Sequence, residues 1–440
     1  MSFTPFDSPM HRGLLSDDEL VPLFSDTAQL RAMLLFEGAL AEAQGELGII
    51  PLDSAFFIAR AAREVQLDPA ALSAGTAAAG VQGPSFVAEF RRLMGAPEHA
   101  RWIHHGASSQ DLVDSGLAIR LNRAVDILAT RTEELAVRLA RMAADHADLP
   151  MAARTRHQIA TPTTFGARVA TWHDPLPRHA ARLRAARASV ALLSLSGAGG
   201  TGAAFGPQVD RLQDMVADKL GLAHPPHSRN AVRDGMGELA AALALLGGSL
   251  GKMAQDVLLM VQMSPPELRL TAAGGSSTMP NKANPVAAET LLGLARHGAT
   301  MASALFHAQI AESDRDGAAW VQEWLALPQL IAATGAALRH GRALVDTMTP
   351  DAEAMRHHIE ATRGTIFAEA ITFALAAHMP RPEAAARVKE ACAAALAGDG
   401  TLSEILSRDF PDLDWDALLD PLEQSGQARR IARRPSEDSR

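Results

Sequence analysis

Alanine and leucine dominate long stretches of this chain, glycines and prolines cluster between those stretches, and alternating β-branched runs are scarce. A chain patterned this way is restricted to a helical fold. The pattern predicts helices near Asp26 to Leu47, Asp53 to Glu64, Gln110 to His146, Thr164 to Leu193, Arg229 to Gln262, Val286 to Glu312 and Trp320 to Asp346. Segments this long suit an elongated bundle. A break is expected at Asp174-Pro175-Leu176-Pro177, because proline inside a helix removes a hydrogen bond and clashes with the preceding turn. With 440 residues, 48% of them apolar, the chain can bury a large core and divide into several domains. We expect an all-α protein of three helical domains: residues 1–104, a long central bundle over 105–348, and 349–440, which ends in a polar tail from about Arg434. No internal repeat is visible.

The most apolar stretch, Leu239 to Gly251, is interrupted by glycines and a serine and bounded by Glu238 and Lys252. It falls short of the ~20 residues needed to span a bilayer, so it reads as a bundle helix buried on all sides, with Lys252 and Asp256 paired four apart. The net charge of −9 argues against a nucleic-acid partner, since phosphate binding needs a basic surface. No membrane partner is expected either. A single cysteine, Cys392, suits a reducing compartment. The opening residues lack a basic start followed by an apolar stretch, and a cytoplasmic location is expected.

Three polar segments carry chemistry. In Gly274 to Pro285, GGSSTMPNKANP, a glycine pair precedes Ser276, Ser277 and Lys282. A hydroxyl becomes a useful base only when its alkoxide is stabilised, which a nearby ammonium and free backbone N–H groups would do. Asn284 followed by Pro285 reads as an N-cap with proline at the first helical position. In the second segment, IHHGASSQDLVDSG from Ile103 to Gly116, Ser108 or Ser109 caps a long helix with Asp111 in its positive first turn. Hydroxyls and N–H groups at a helix start also suit an anion, which makes Ser108, Ser109 and Gln110 substrate-binding candidates; ordinary capping would explain the same residues without a ligand. The third, MAARTRHQIATPTTFG from Met151 to Gly166, concentrates Arg154 and Arg156 as a polycarboxylate site would require. His224 and His227 flank two prolines without acidic or cysteine partners at ligand-like spacing, so no metal site is expected. Ser196 to Gly202 lacks the preceding strand of a dinucleotide loop and reads as a turn.

Together these three segments resemble the signature blocks of the fumarase/aspartase superfamily. The resemblance runs from about Phe24 to Arg429. It implies that Ser276, six residues before Lys282, is the proton-transfer group, that Lys282 is catalytic beside it, and that Lys282 and Asn284 hold substrate carboxylate with Ser277. It also implies substrate binding by Thr155, Gln158 and Arg315 alongside Arg154 and Arg156. The superfamily histidine of the third block falls on Arg156. His157 stands one residue later, and because neighbours on a helix point about 100° apart it cannot simply inherit that role. His104 and His157 remain open as acid–base or structural imidazoles.

Absence of that histidine, together with Asp314-Arg315, Trp320, Glu323, Trp324, Pro328 and the late LLDP and Gly426-Gln427-Ala428 segments, resembles the bacterial 3-carboxy-cis,cis-muconate cycloisomerase branch. Asn281 and Ala283 depart from it. The branch implies lactonisation to 4-carboxymuconolactone in the protocatechuate branch of the β-ketoadipate pathway. It further implies general acid–base chemistry with no cofactor and no metal, a small polycarboxylate substrate, and a homotetramer whose active sites are shared between subunits. Lyases of the adenylosuccinate, argininosuccinate or fumarate type are the alternatives within the superfamily, and a non-catalytic helical scaffold is the alternative outside it.

Overall fold

The structure, a computed structural model, describes residues 4–437 apart from 272–273, 276–278 and 280–281. The helical reading holds for the elements that matter here. These are α1 (Asp26–Glu46), α2 (Leu52–Glu64), α3 (Ser109–Asp145), α4 (Phe165–His173), α5 (Pro175–Val190), α6 (Asp234–Gln262), α7 (Val286–His307) and α8 (Gly317–Thr347). Pro175 is tolerated because it opens α5, where the ring costs no hydrogen bond. Asp174 keeps right-handed helical dihedrals, so the break between α4 and α5 is confined to one residue.

The sequence reading missed a hairpin. Residues 150–164 form strands β1 (Pro150–Thr155) and β2 (Gln158–Thr164), paired antiparallel with Thr155 opposite Gln158. The helical 100° argument for Arg156 and His157 therefore does not apply. Two further pairs of short strands matter below: β3 (Leu268–Leu270) pairs with β6 (Met348–Pro350), and β4 (Gly274–Gly275) with β5 (Ala283–Asn284).

Chain contacts divide the molecule into two compact units, each assembled from three separate segments. Unit 1 comprises 1–131, 179–248 and 293–339; unit 2 comprises 132–178, 249–292 and 340–440. Unit 1 packs around Phe36, Phe86, Phe90, Leu112, Val216 and neighbouring buried side chains. The core of unit 2 includes Ile359, Phe367, Ile371, Leu375, Val388 and Leu402. Helix α6 is not buried on all sides within one chain. Leu239, Leu243 and Leu246 face inward, whereas Leu245 remains 53% exposed. Its Lys252 does pair with Asp256.

Candidate active site

In unit 1 the start of α3 is built as a reciprocal cap. The Ser108 Oγ accepts from the Asp111 N–H at 3.2 Å, and the Ser108 N–H donates to Asp111 Oδ2 at 2.7 Å. Asp111 is fully buried and also accepts from the N–H groups of Ser196 and Gly197, at 2.8 and 2.9 Å. That explains the Ser196 to Gly202 turn: its backbone ties down a carboxylate in the positive first turn of the helix. Ser108 is thus consumed by capping. Ser109 is half-buried, and its hydroxyl has no hydrogen-bond partner among the described residues. Gln110 donates from Nε2 to Asp114 and to the Asn230 carbonyl, both at 3.1 Å, while its buried Oε1 has no partner among the described residues.

Around these residues runs a buried ion network. Arg233 bonds to Asp114 at 2.7 Å and to both oxygens of Glu323, and the Trp320 Nε1 donates to Asp114 at 3.1 Å. Burial alone would disfavour the charge on Arg233, but Asp114 and Glu323 outweigh it and hold the guanidinium protonated. His104 is a partner of Glu37. Its N–H donates to Oε2 at 2.9 Å and its Nδ1 lies 2.6 Å from Oε1. Burial opposes protonation of this imidazole, yet the adjacent Glu37 carboxylate raises its pKa above the ordinary value. The Nε of Arg315 is buried without a partner among the described residues.

In unit 2 the tip of the β1–β2 hairpin stands beside a groove of about 630 Å³, whose polar lining includes Arg154, Arg156, His157, Arg168, Lys252 and Asp256. That size suits a small-molecule ligand. Arg154 grips Glu267, a fully buried carboxylate, in a two-pronged bond with contacts of 2.8 and 3.1 Å. Its charge is already balanced. Arg156 and His157 form the two-residue loop with φ of 48° and 66°, the left-handed pair that a tight hairpin requires. Both are exposed, as are Thr155 and Gln158 at the strand ends.

The segment Gly274 to Pro285 is also in unit 2. Ser276 and Ser277 lie outside the described residues. The strand pair β4–β5 brackets them, because Gly274 pairs with Asn284 and Gly275 with Ala283. A side chain at Gly274 would come within 2.7 Å of Val286, so glycine permits the close return of the chain here. Lys282 is exposed, and its N–H donates to the Met279 carbonyl at 3.0 Å. The helix start differs from expectation: Asn284 belongs to β5, and Pro285 supplies the carbonyl that receives the Glu289 N–H as α7 begins at Val286.

Five described non-glycine residues have left-handed backbone: His104, Arg156, His157, Arg315 and Arg363. The first four are site candidates from the sequence. Such conformations are uncommon for side-chain-bearing residues and gather where function over-determines the backbone. Sequence reasoning overlooked Glu37, Arg233 and Glu267. A lone carboxylate within the apolar run LLFEGAL was the available signal for Glu37. Among the described residues no cluster of metal-ligating side chains occurs.

Comparison with known proteins adds an independent line. A family model described as Lyase matches residues 15–297. The chain is 38% identical over 418 residues to 3-carboxy-cis,cis-muconate cycloisomerase of Pseudomonas aeruginosa, an alignment covering 92% of this chain and 91% of that protein. The crystal structure of 3-carboxy-cis,cis-muconate lactonizing enzyme from Pseudomonas putida superposes with a TM-score of 0.92 at 33% identity, covering 98% of this chain and 99% of that one. Fumarate lyase from Mesorhizobium sp. BNC1 gives a TM-score of 0.89 at 31% identity, covering 96% and 98% respectively.

Proposed function

Because the chain belongs to the lyase family, within the fumarase/aspartase superfamily, and is an enzyme of its cycloisomerase/lyase type, we propose that it converts 3-carboxy-cis,cis-muconate to 4-carboxymuconolactone. The observation that carries the substrate choice is the groove at the hairpin tip, where Arg156 occupies the block position at which the superfamily has histidine. An arginine there exchanges a titratable group for a permanent cation that can hold a carboxylate through two N–H bonds. A tricarboxylate needs that charge more than a dicarboxylate does.

In the lactonising direction one substrate carboxylate oxygen adds to a double bond, and a proton is delivered to the carbon alpha to another carboxylate. The carbanion-like species between these events places extra charge on that second carboxylate, so cations and oriented N–H groups around it lower the barrier. Ser276 is the proposed proton donor in this direction and, by microscopic reversibility, the base in the reverse elimination. Lys282 and Asn284 hold carboxylate beside it, with Ser277. Ser109 and Gln110 retain unpartnered polar atoms for the same substrate, and Arg315 adds a cation. No cofactor enters this scheme.

The subunits are proposed to form a homotetramer with shared active sites. Exposed apolar side chains on the long helices support this, including Val137, Leu245, Phe306 and Leu325. The division at residues 104 and 348 into three domains belongs to the same proposal. So does a cytoplasmic location, which a single cysteine, Cys392, unable to form an internal disulfide, suits. The deciding assay follows absorbance of 3-carboxymuconate with purified protein and, in parallel, fumarate release from argininosuccinate and adenylosuccinate. Loss of the muconate absorbance supports the proposal. Fumarate release alone would assign a superfamily lyase instead, and inactivity on all three would favour a scaffold.

A further inference from the structure

The charges lining the unit 2 groove do not all remain available to a ligand. Two of its four cations are internally neutralised: Arg154 by the buried Glu267, and Lys252 by Asp256. Arg156 and Arg168 have no ion-pair partner among the described residues, although both line the same groove. Arg156 is displayed by the hairpin turn. Arg168 is half-buried on α4, a helix whose position is fixed at both ends.

At its start, Gly166 packs against the end of α3, and a side chain there would come within 2.3 Å of the Ala143 carbonyl oxygen. One turn beyond Arg168, Trp172 donates from Nε1 to Asp256 at 2.8 Å. Residues four apart share a helix face. The bond from Trp172 to a groove-lining carboxylate therefore presents Arg168 to the same wall. An arginine that lines a groove without an ion-pair partner keeps both its charge and its forked N–H donors free for an anionic ligand.

We propose that Arg168 is a substrate-binding residue, pairing with Arg156 to grip two carboxylates of a tricarboxylate, while Arg154 serves as a positioning residue locked to Glu267. The assignment rests on the cycloisomerase reading for the identity of the substrate, but the charge balance of the groove stands without it. Two permanent cations lining one groove discriminate by charge number: a dicarboxylate that also engages Lys282 and Asn284 leaves one of them unpaired, whereas a tricarboxylate satisfies both.

The test uses the intact oligomer with Arg168→Gln and Arg168→Lys, measuring kcat and KM on 3-carboxymuconate and inhibition by tricarballylate and succinate. Arg168→Gln should raise KM and weaken tricarballylate by about 10- to 100-fold, the usual cost of a lost charge-assisted contact. Succinate inhibition and kcat should change much less. Arg168→Lys keeps the charge but not the fork and should fall between; it also supplies the reading if the glutamine variant does not fold. Unchanged KM and unchanged tricarballylate inhibition in a folded variant would overturn the assignment while leaving the cycloisomerase reading intact. Weakened tricarballylate binding in a protein that does not turn over the muconate would uphold Arg168 and remove the cycloisomerase reading. If the wild-type protein binds no tricarboxylate, both fall.

Discussion

The hairpin tip stores backbone strain beside a ligand groove, so replacing Arg156 and His157 with Asn and Gly should stabilise the protein while disabling substrate binding. Both residues sit in the left-handed region, which costs an ordinary L-residue about 1–2 kcal/mol. Asn-Gly is the favoured pair for such a loop. Glycine at 157 removes the strain there but returns about 0.5–1 kcal/mol through the extra freedom of the unfolded chain. Asparagine at 156 relieves only part of its share. The net gain should be about 1–2 kcal/mol, read as a higher denaturant midpoint. With an unfolding entropy of about 2.1 cal/mol/K per residue, the melting temperature of a 440-residue chain rises by only about 1–2 °C. Loss of the arginine contact should raise KM by about 10- to 100-fold, corresponding to about 1.5–3 kcal/mol. His157→Gly alone separates the two effects: it should deliver much of the stabilisation with little change in KM, because the cation at 156 remains. A lowered midpoint in both variants, or a double variant with wild-type KM, would refute the idea that strain here serves binding.

Ser276→Ala should reduce turnover by about 10²- to 10⁴-fold without altering the fold or the state of assembly; near-normal turnover would transfer the proton-transfer role to Ser277. Mixing Ser276→Ala chains with Arg156→Ala chains, each impaired alone, should restore part of the activity if sites are shared, and a monomer by light scattering would defeat that expectation. For His104, the Glu37 carboxylate outweighs burial and raises the folded pKa, so the protonated pair contributes stability that is complete below the unfolded value of about 6.5. That contribution fades as pH rises through the higher folded value. Denaturant midpoints measured across this window should fall for the wild type and flatten for Glu37→Gln, and identical pH profiles would show that the pair is not a source of pH-dependent stability.

How far the sequence could be read depended on the range over which each feature is encoded. The long helices were legible because their signal is local and repeated; α1 was expected over Asp26 to Leu47 and observed over Asp26–Glu46. The β1–β2 hairpin was not legible. Its turn carries Arg-His in place of Asn-Gly, and nothing in those two side chains announces positive φ. The partners of the site were hidden for a different reason. Glu267 meets Arg154 across 113 residues of sequence, and Glu37 meets His104 across 67. Periodicity says nothing about pairings at that separation.

The same long-range pairings decide which cations can act. Sequence alone ranks Arg154 and Arg156 together as two arginines of one block, but a buried carboxylate balances the first and leaves the second open. Arg168 would have been passed over as an ordinary helical arginine, since its isolation becomes visible only when each neighbouring charge has been matched to its partner. Motif residues thus identify the kind of chemistry, while the neutralisation of cations by distant carboxylates determines where an anionic substrate can still gain energy by binding.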